Sequence, residues 1–428
     1  MSVIGPSGIG KSALVSRLTL DARRRGAAHA VAHCRPSSFP APYAPWIQVI
    51  EGLRAARVIP DKRWHSLPRL VPSLAGSQRA LRLADDSGSM ADVSLTDEIC
   101  ELLVTVARSR PIVLVIEDLE YADQASWDVC ERLATRIGDS RVLLCLTGDG
   151  SFASASRARF GTLRRHYEVR LGTLAPDEVQ QWVGDLFADR ATADACATHL
   201  AQGGAFTPLL AAHTLHALAD RRVLVHVDGT WRAVDTADLS SAPESTASDV
   251  LARRLDLLSP KTRAILGELA VLGEGFEVDV ALAAGMGDEA ELLDAIDEAL
   301  AAALLCDDGA EPGSAFAFTH REVARAARAT VDPMRLRRVH ERIARGLEQV
   351  RPVALFEIAE HFDRSGMADR AFEYALLAAA RAVSVQAFGD AVMAYERARA
   401  HVTTPAQRRR LDELVAELPI RPSSAGVA

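Results

Sequence analysis

The sequence predicts an α/β domain on a parallel sheet with a helical lid, then a winged-helix-like unit and a short α-helical, TPR-like segment. Three observations carry that expectation. A glycine-rich loop, Gly5-Pro6-Ser7-Gly8-Ile9-Gly10-Lys11-Ser12, stands directly behind the apolar run Ser2-Val3-Ile4 and opens an amphipathic stretch, SALVSRLTLDARRRG. Far downstream, the apolar run Ile112 to Ile116 ends in two acids, Glu117 and Asp118. The helical stretch TDEICELLVTVARSR precedes that run and a further apolar run, Arg141 to Thr147, follows it, so strand and helix alternate as in α/β folds.

The loop fits G-x-x-x-x-G-K-[ST] at every fixed position, which makes this an α/β P-loop NTPase domain. Its glycines let the backbone wrap phosphates with several N–H groups turned inward. The helix starting at Lys11 adds its positive dipole end to the same anion. Gly5, Pro6, Ser7, Gly8, Ile9, Gly10, Lys11 and Ser12 are therefore the expected ATP-binding residues, Lys11 reaching the β- and γ-phosphates. Ser12, Glu117 and Asp118 are the expected Mg2+ residues. Of the two acids, one holds Mg2+ through water and the other orients or deprotonates the attacking water, so both are the catalytic candidates. They end a strand whose apolar run reads as buried on both faces, where ligands bind in such sheets.

Composition narrows the class. Apolar residues make up 49% of 428, charged residues 25%, and the net charge is −8, so the chain as a whole is not built to hold DNA. Six scattered cysteines without a C-x-x-C pair read as reduced and mostly buried, in neither a disulfide framework nor a zinc site. No signal-peptide layout and no membrane-length apolar run is present, so the chain reads as cytoplasmic.

The run VLVIEDLEYADQAS resembles a segment of the STAND-class P-loop ATPases, especially the large ATP-binding transcriptional regulators of the LuxR type, with their AAA-type ATPase domain. In that family a hydrophobic strand ends in two acids, followed by a segment closing on Ala-Asp, here Glu117, Asp118, Ala122 and Asp123. HCRPSSFPAPYAPWIQVIEGL, DVLARRLDLLSPKTRAILGELAVLGEGF, FAFTHREVARAA and RLRRVHERIARGLE are similar to the family's second strand, its winged-helix start and the helices that follow. The resemblance implies Mg-ATP bound between the α/β domain and the lid, with hydrolysis or exchange changing how the later units dock. Several positions depart from it. Glu120 and Tyr121 stand where His or Gln and then Trp are usual, and Glu117 where Asp is usual. Thr147-Gly148-Asp149 replaces a strand end that commonly supplies a γ-phosphate-sensing Arg, which implies slow hydrolysis or an outside Arg. The Gly-x-Pro motif appears with longer spacing, Gly203-Gly204-Ala205-Phe206-Thr207-Pro208.

The expected organisation is 1–172 nucleotide-binding domain, 173–235 helical lid with a β-hairpin, 236–333 winged-helix-like domain, 334–404 TPR-like segment and 405–428 disordered tail. RALRLADDSGSMADVS reads as a mobile loop, Asp228-Gly229 as a hairpin turn, and DTADLSSAPESTAS as a linker. The winged-helix-like unit is not expected to read DNA. Its third helix, Asp288 to Glu298, carries six acids and no Lys or Arg, which phosphates would repel. The basic helix from Arg335 reads as a solvated face over a stripe of Leu336, Val339 and Ile343, and His320 and His340 read as structural. With only Ser2, Val3 and Ile4 to form the strand ahead of the loop, the chain is expected to start late or to be a fragment, and to lack the family's C-terminal helix-turn-helix. Its expected partners are ATP and other proteins or further copies of itself, with no membrane. The reading is an ATP-binding switch in signal-responsive transcriptional regulation. A nucleotide-binding scaffold without turnover and a DNA-associated ATPase of origin-recognition type are the alternatives.

Overall fold

In the computed structural model the three residues ahead of the loop form β1 (Ser2–Ile4), an interior strand. It pairs in parallel with β4 (Val142–Gly148) on one side and β5 (Glu168–Arg170) on the other. With β2 (Ala28–His33) and β3 (Ile112–Glu117), this five-stranded parallel sheet runs β2-β3-β4-β1-β5. Residues 1–62, 64–74, 94–187, 189–202, 207–227, 230–235, 239, 247–307 and 316–418 are described. The expected loop up to residue 93, the glycines at 203–204, the 228–229 turn, the linker at 236–238 and 240–246, and the tail from 419 lie outside them.

β3 is buried along its whole length, as a parallel strand covered on both faces must be. Its alternation sorts the two cores. Ile112, Leu114 and Ile116 face a large cluster with α2 (Ala44–Ala55), α3 (Leu67–Leu70), α4 (Leu95–Ser109) and α5 (Gln124–Arg136). Val113 and Val115 face a small cluster with Val3, Cys145 and Val15 of α1 (Lys11–Arg24). Trp46 of α2 is fully buried and gives its indole N–H to Ser126 O, 3.1 Å away, so its polar atom is satisfied inside the core. α6 (Gly150–Phe160) is capped by Asp149, which accepts from Ser151 N at 2.8 Å.

The next units follow in order. α7 (Pro176–Gly184), α8 (Arg190–Gln202) and α9 (Pro208–Asp220) enclose a separate small core, and β6 (Leu224–Val227) pairs antiparallel with β7 (Thr230–Ala233). α10 (Ala247–Asp256), α11 (Pro260–Leu272), α12 (Val278–Ala283) and α13 (Glu289–Ala301) surround a sheet ordered β8-β10-β9. Its strands are β8 (Gly275–Phe276), β9 (Leu305–Asp307) and β10 (Phe316–Phe318), and α14 (Arg321–Ala329) leaves β10 directly. α13 buries Leu292, Ala295, Ile296 and Ala299 and leaves Asp288, Glu289, Asp294 and Asp297 exposed, an acidic outer face.

α15 (Pro333–Val350) buries Val339 and Ile343, half-buries Leu336 and exposes Arg335, Arg337 and Arg338, matching the expected solvated face. α16 (Leu355–Ser365), α17 (Ala368–Ser384), α18 (Phe388–Ala400) and α19 (Pro405–Ala416) complete a helical C-terminal region. Phe356, Phe372, Ala375 and Tyr395 from these helices belong to the same core as the sheet's β3. None of the six cysteines is in a disulfide; five are buried and Cys306 is exposed. No helix among the described residues is long and apolar enough to cross a membrane.

His340 of α15 and His361 of α16 meet Nδ1 to Nδ1 at 2.9 Å, both buried. One must donate and the other accept, so the contact requires at least the accepting ring to be neutral and forbids two protonated rings. Burial, helped by Arg364 and Arg328, pushes His340 down to about 3 and His361 down to about 4. Both folded values lie below the unfolded value near 6.5, so the pair's stability is fully present above that pH and is lost as pH falls. Between pH 7 and 5 each ring is expected to cost on the order of 2 kcal/mol. Urea unfolding of wild type and His361→Gln at both pH values checks this, the variant showing the smaller acid loss.

Candidate nucleotide site

The loop leaves β1 at the carboxyl end of the sheet, beside the end of β3. Gly8 and Gly10 adopt φ of +75° and +102°, which residues with a Cβ rarely reach. Gly8 is also in close approach, since a Cβ there would lie 2.7 Å from Leu209 Cβ. Gly10 precedes α1 and no side chain caps that helix. Its first-turn N–H groups thus face the cavity, of about 450 Å3, that the loop, β3 and β10 line.

The expected site residues come together here. Lys11, 6% exposed, donates to Gly5 O at 2.9 Å and Pro6 O at 3.3 Å, and lies 3.9 Å from Asp118 Oδ1. The Ser12 hydroxyl donates to Glu117 Oε2, while Glu117 Oε1 lies 3.8 Å from His33 Nδ1. Ile9 is buried in the loop's base, and Ser7 and Gly8 line the cavity. Asp118 sits at φ +52° with its amide donating to Thr147 Oγ1 at 3.1 Å. Such a left-handed non-glycine residue persists only where its surroundings hold it, as Thr147 does here. Thr147 and Asp149 in the departing strand end thus serve the backbone, Thr147 holding Asp118 and Asp149 capping α6.

Four residues not expected from the sequence also shape the cavity. Leu209, at the start of α9, donates its amide to Gly8 O at 3.2 Å, tying α9 to the loop. Arg321, first residue of α14, is only 16% exposed in its side chain. Its Nε donates to Ser7 Oγ at 3.1 Å and its Nη1 to the Tyr121 hydroxyl at 3.2 Å. It lies 3.8 Å from Asp118 Oδ2 and 4.0 Å from Glu120 Oε1. His320, read from sequence as structural, does cap α14 through Nδ1, which accepts from Glu322 N at 3.1 Å, yet it also lines the cavity. Burial lowers its pKa and raises that of Glu274, another lining residue.

Glu120 is a strongly perturbed acid beside the cavity. Neither of its buried oxygens accepts a hydrogen bond among the described residues. Burial, reinforced by Asp118 and Asp149, lifts its pKa to about 7. The only sequence sign of Arg321 and His320 was a polar Thr-His-Arg-Glu run directly after an apolar strand.

The donor set suits a phosphate-bearing ligand with a divalent cation: a wrapped loop of amides, a buried ammonium, a hydroxyl and two carboxylates at one cavity wall. A STAND (Signal Transduction ATPase with Numerous Domains) protein with a tetratricopeptide repeat sensor from Pyrococcus horikoshii has a similar fold, at TM-score 0.51 and 13% identity over 94% of this chain. The alignment takes in 51% of that protein, so this chain spans about half its length. An Aeropyrum pernix ORC1 protein in complex with DNA aligns over 77% of this chain and 86% of its own at TM-score 0.31 and 13% identity. A Thermotoga maritima RuvB variant aligns over 74% and 84% at TM-score 0.29 and 17% identity. No curated protein matches in sequence. Residues 1–145, from β1 into β4, match the AAA ATPase domain, a family that implies nucleotide binding.

Proposed function

We propose that this chain is an ATP-binding molecular switch of STAND type with hydrolysis slow at most. One observation carries the reading: Lys11 and Ser12 of the loop meet Glu117 and Asp118 of β3 at a single cavity. Gly5 to Gly10 supply backbone amides to the phosphates, and Lys11 turns from Gly5 O and Pro6 O to the β- and γ-phosphates. Ser12, Glu117 and Asp118 would hold Mg2+, which shields the phosphate charge when bound. Of the two acids, Glu117 is the more deeply buried and is already bonded to Ser12, so it suits positioning. Asp118 faces the cavity and suits orienting water.

The unit from 247 to 331 is read as winged-helix-like, from its helices and three-stranded sheet, and the helices from 334 to 404 as TPR-like. Transcriptional regulation of the LuxR type is the setting we favour, through protein partners or self-association. The acidic outer face of α13 opposes direct DNA reading. A scaffold that binds ATP without turnover is the second reading, favoured by the absence of a cation from Thr147-Gly148-Asp149.

Titration of the purified chain with ATP, with and without Mg2+, tests the proposal. Saturable binding strengthened by Mg2+ is expected, with that strengthening lost in Asp118→Asn. Absence of saturable binding would sink it. Steady phosphate release in the same samples separates a slow ATPase from the scaffold.

A further inference from the structure

We infer that Arg321 is the γ-phosphate contact of this site, supplied by α14 from the unit beyond the lid, so that docking of that unit distinguishes tri- from diphosphate. This rests on the ATP-binding reading above. Three observations lead to it.

The first is position. Arg321 Nε lies 3.1 Å from Ser7 Oγ, and Ser7 is part of the loop that wraps the phosphates. The guanidinium therefore stands at the rim of the phosphate seat.

The second is unspent hydrogen-bonding capacity. A guanidinium carries five N–H donors. Among the described residues two are used, both on neutral hydroxyls, Ser7 and Tyr121. The two carboxylates beside it, Asp118 at 3.8 Å and Glu120 at 4.0 Å, are charge neighbours beyond hydrogen-bond range. A side chain this buried, with donors left over at a cavity wall, is arranged for an anion that arrives later.

The third is charge. Asp118 stands between two cations, Lys11 at Oδ1 and Arg321 at Oδ2. A divalent cation drawn to Asp118 by the nucleotide releases both for phosphate oxygens. The departing strand end at Thr147-Gly148-Asp149 offers no cation of its own, and of the two arginines that line the cavity Arg35 donates to Gly275 O while Arg321 is bonded to the phosphate-binding loop, so Arg321 is the one placed to meet the outermost phosphate. A diphosphate would reach Lys11 and leave Arg321 with its hydroxyls.

Equilibrium titrations of fluorescently labelled ATP and ADP, each with Mg2+, are made on the full chain as wild type, Arg321→Ala, Arg321→Gln and Arg321→Lys. Gln places an amide N–H where Nε bonds Ser7, without the charge and without reaching Tyr121, so it decides the matter if Ala disturbs folding. Wild type is expected to prefer ATP. Ala and Gln should lower ATP affinity about tenfold or more, leave ADP affinity within about twofold, and Lys should restore part of the preference. An unchanged ATP-to-ADP ratio overturns the assignment. So does tighter binding of both nucleotides in the variants, which would make Arg321 a plug in the seat. If wild type binds neither nucleotide, the ATP-binding reading itself fails and the assignment with it. If wild type binds and Lys11→Ala does not, but the ratio is unmoved by Arg321, only the assignment falls.

Discussion

Lys11→Ala is expected to weaken Mg-ATP binding about a hundred- to a thousandfold while the chain stays folded. The ammonium is 6% exposed and stands inside the curve of the loop, where no water can substitute for it without opening the seat. Charge-assisted contacts to two phosphates are each worth about 1.5–3 kcal/mol, and because Lys11 gives up its two carbonyl bonds to make them the low end of the sum, about 3–4 kcal/mol, gives that loss. The cost to folding is much smaller. Without nucleotide Lys11 bonds two carbonyls of its own loop, Gly5 O and Pro6 O, and Asp118 keeps Arg321 beside it when the lysine is gone. A change of about 1 kcal/mol in urea unfolding is expected. Calorimetric titration of both forms, with unfolding as the control, checks the pair. Undiminished ATP binding in Lys11→Ala would place the nucleotide somewhere other than this loop.

The parts of the site legible in sequence are those made by contiguous chain. Gly5 to Ser12 are covalent neighbours, so the backbone they need is written in their order, and Glu117-Asp118 is marked by the apolar run that ends in it. Arg321 and His320 carry no such mark. They reach the loop because β10 and α14 dock on it from a distant segment, and a docking of that kind rests on shape over many residues. Leu209 is similar: the motif expected to reach the nucleotide was sought in the glycines, while the amide that touches the loop belongs to the residue after Pro208. The helical region was legible as helices, from the small residues of AFEYALLAAARA. That its apolar face would merge with the core under β3 was not, because periodicity says which face is buried and nothing about what covers it.

That merging sets up the largest expected effect on stability, at Asp390. The first three amides of α5 are all held by carboxylates. Asp123 accepts from Ser126 N at 2.8 Å, and Asp390, from α18, accepts from Gln124 N and Ala125 N at 3.0 Å each. Asp390→Ala leaves the buried Ala125 amide and the part-buried Gln124 amide without acceptors and removes a carboxylate from a helix N-terminus, so a loss of about 2–3 kcal/mol is expected. One effect works the other way. Burial, and next the charge of Asp390, raise the pKa of Asp123 to about 7. A raised carboxyl stabilises the fold at low pH and loses that contribution as pH rises through its folded value. Removing Asp390 relieves Asp123 chiefly once Asp123 is charged, so the variant's penalty should be smaller at pH 8 than at pH 6. Urea midpoints of wild type and variant at both values measure it, and a penalty that is equal or larger at pH 8 would contradict the argument. Glu360 of α16 makes a matching grip on the other side, accepting from Ser37 Oγ at 2.5 Å and Ser38 N at 3.2 Å in the segment that leaves β2. The two carboxylates hold the chain just beyond the strands that end in His33 and in Glu117. The C-terminal helices are thereby fastened to the two cavity-lining strand ends, and an Asp390→Ala chain should lose ATP affinity in step with its loss of stability.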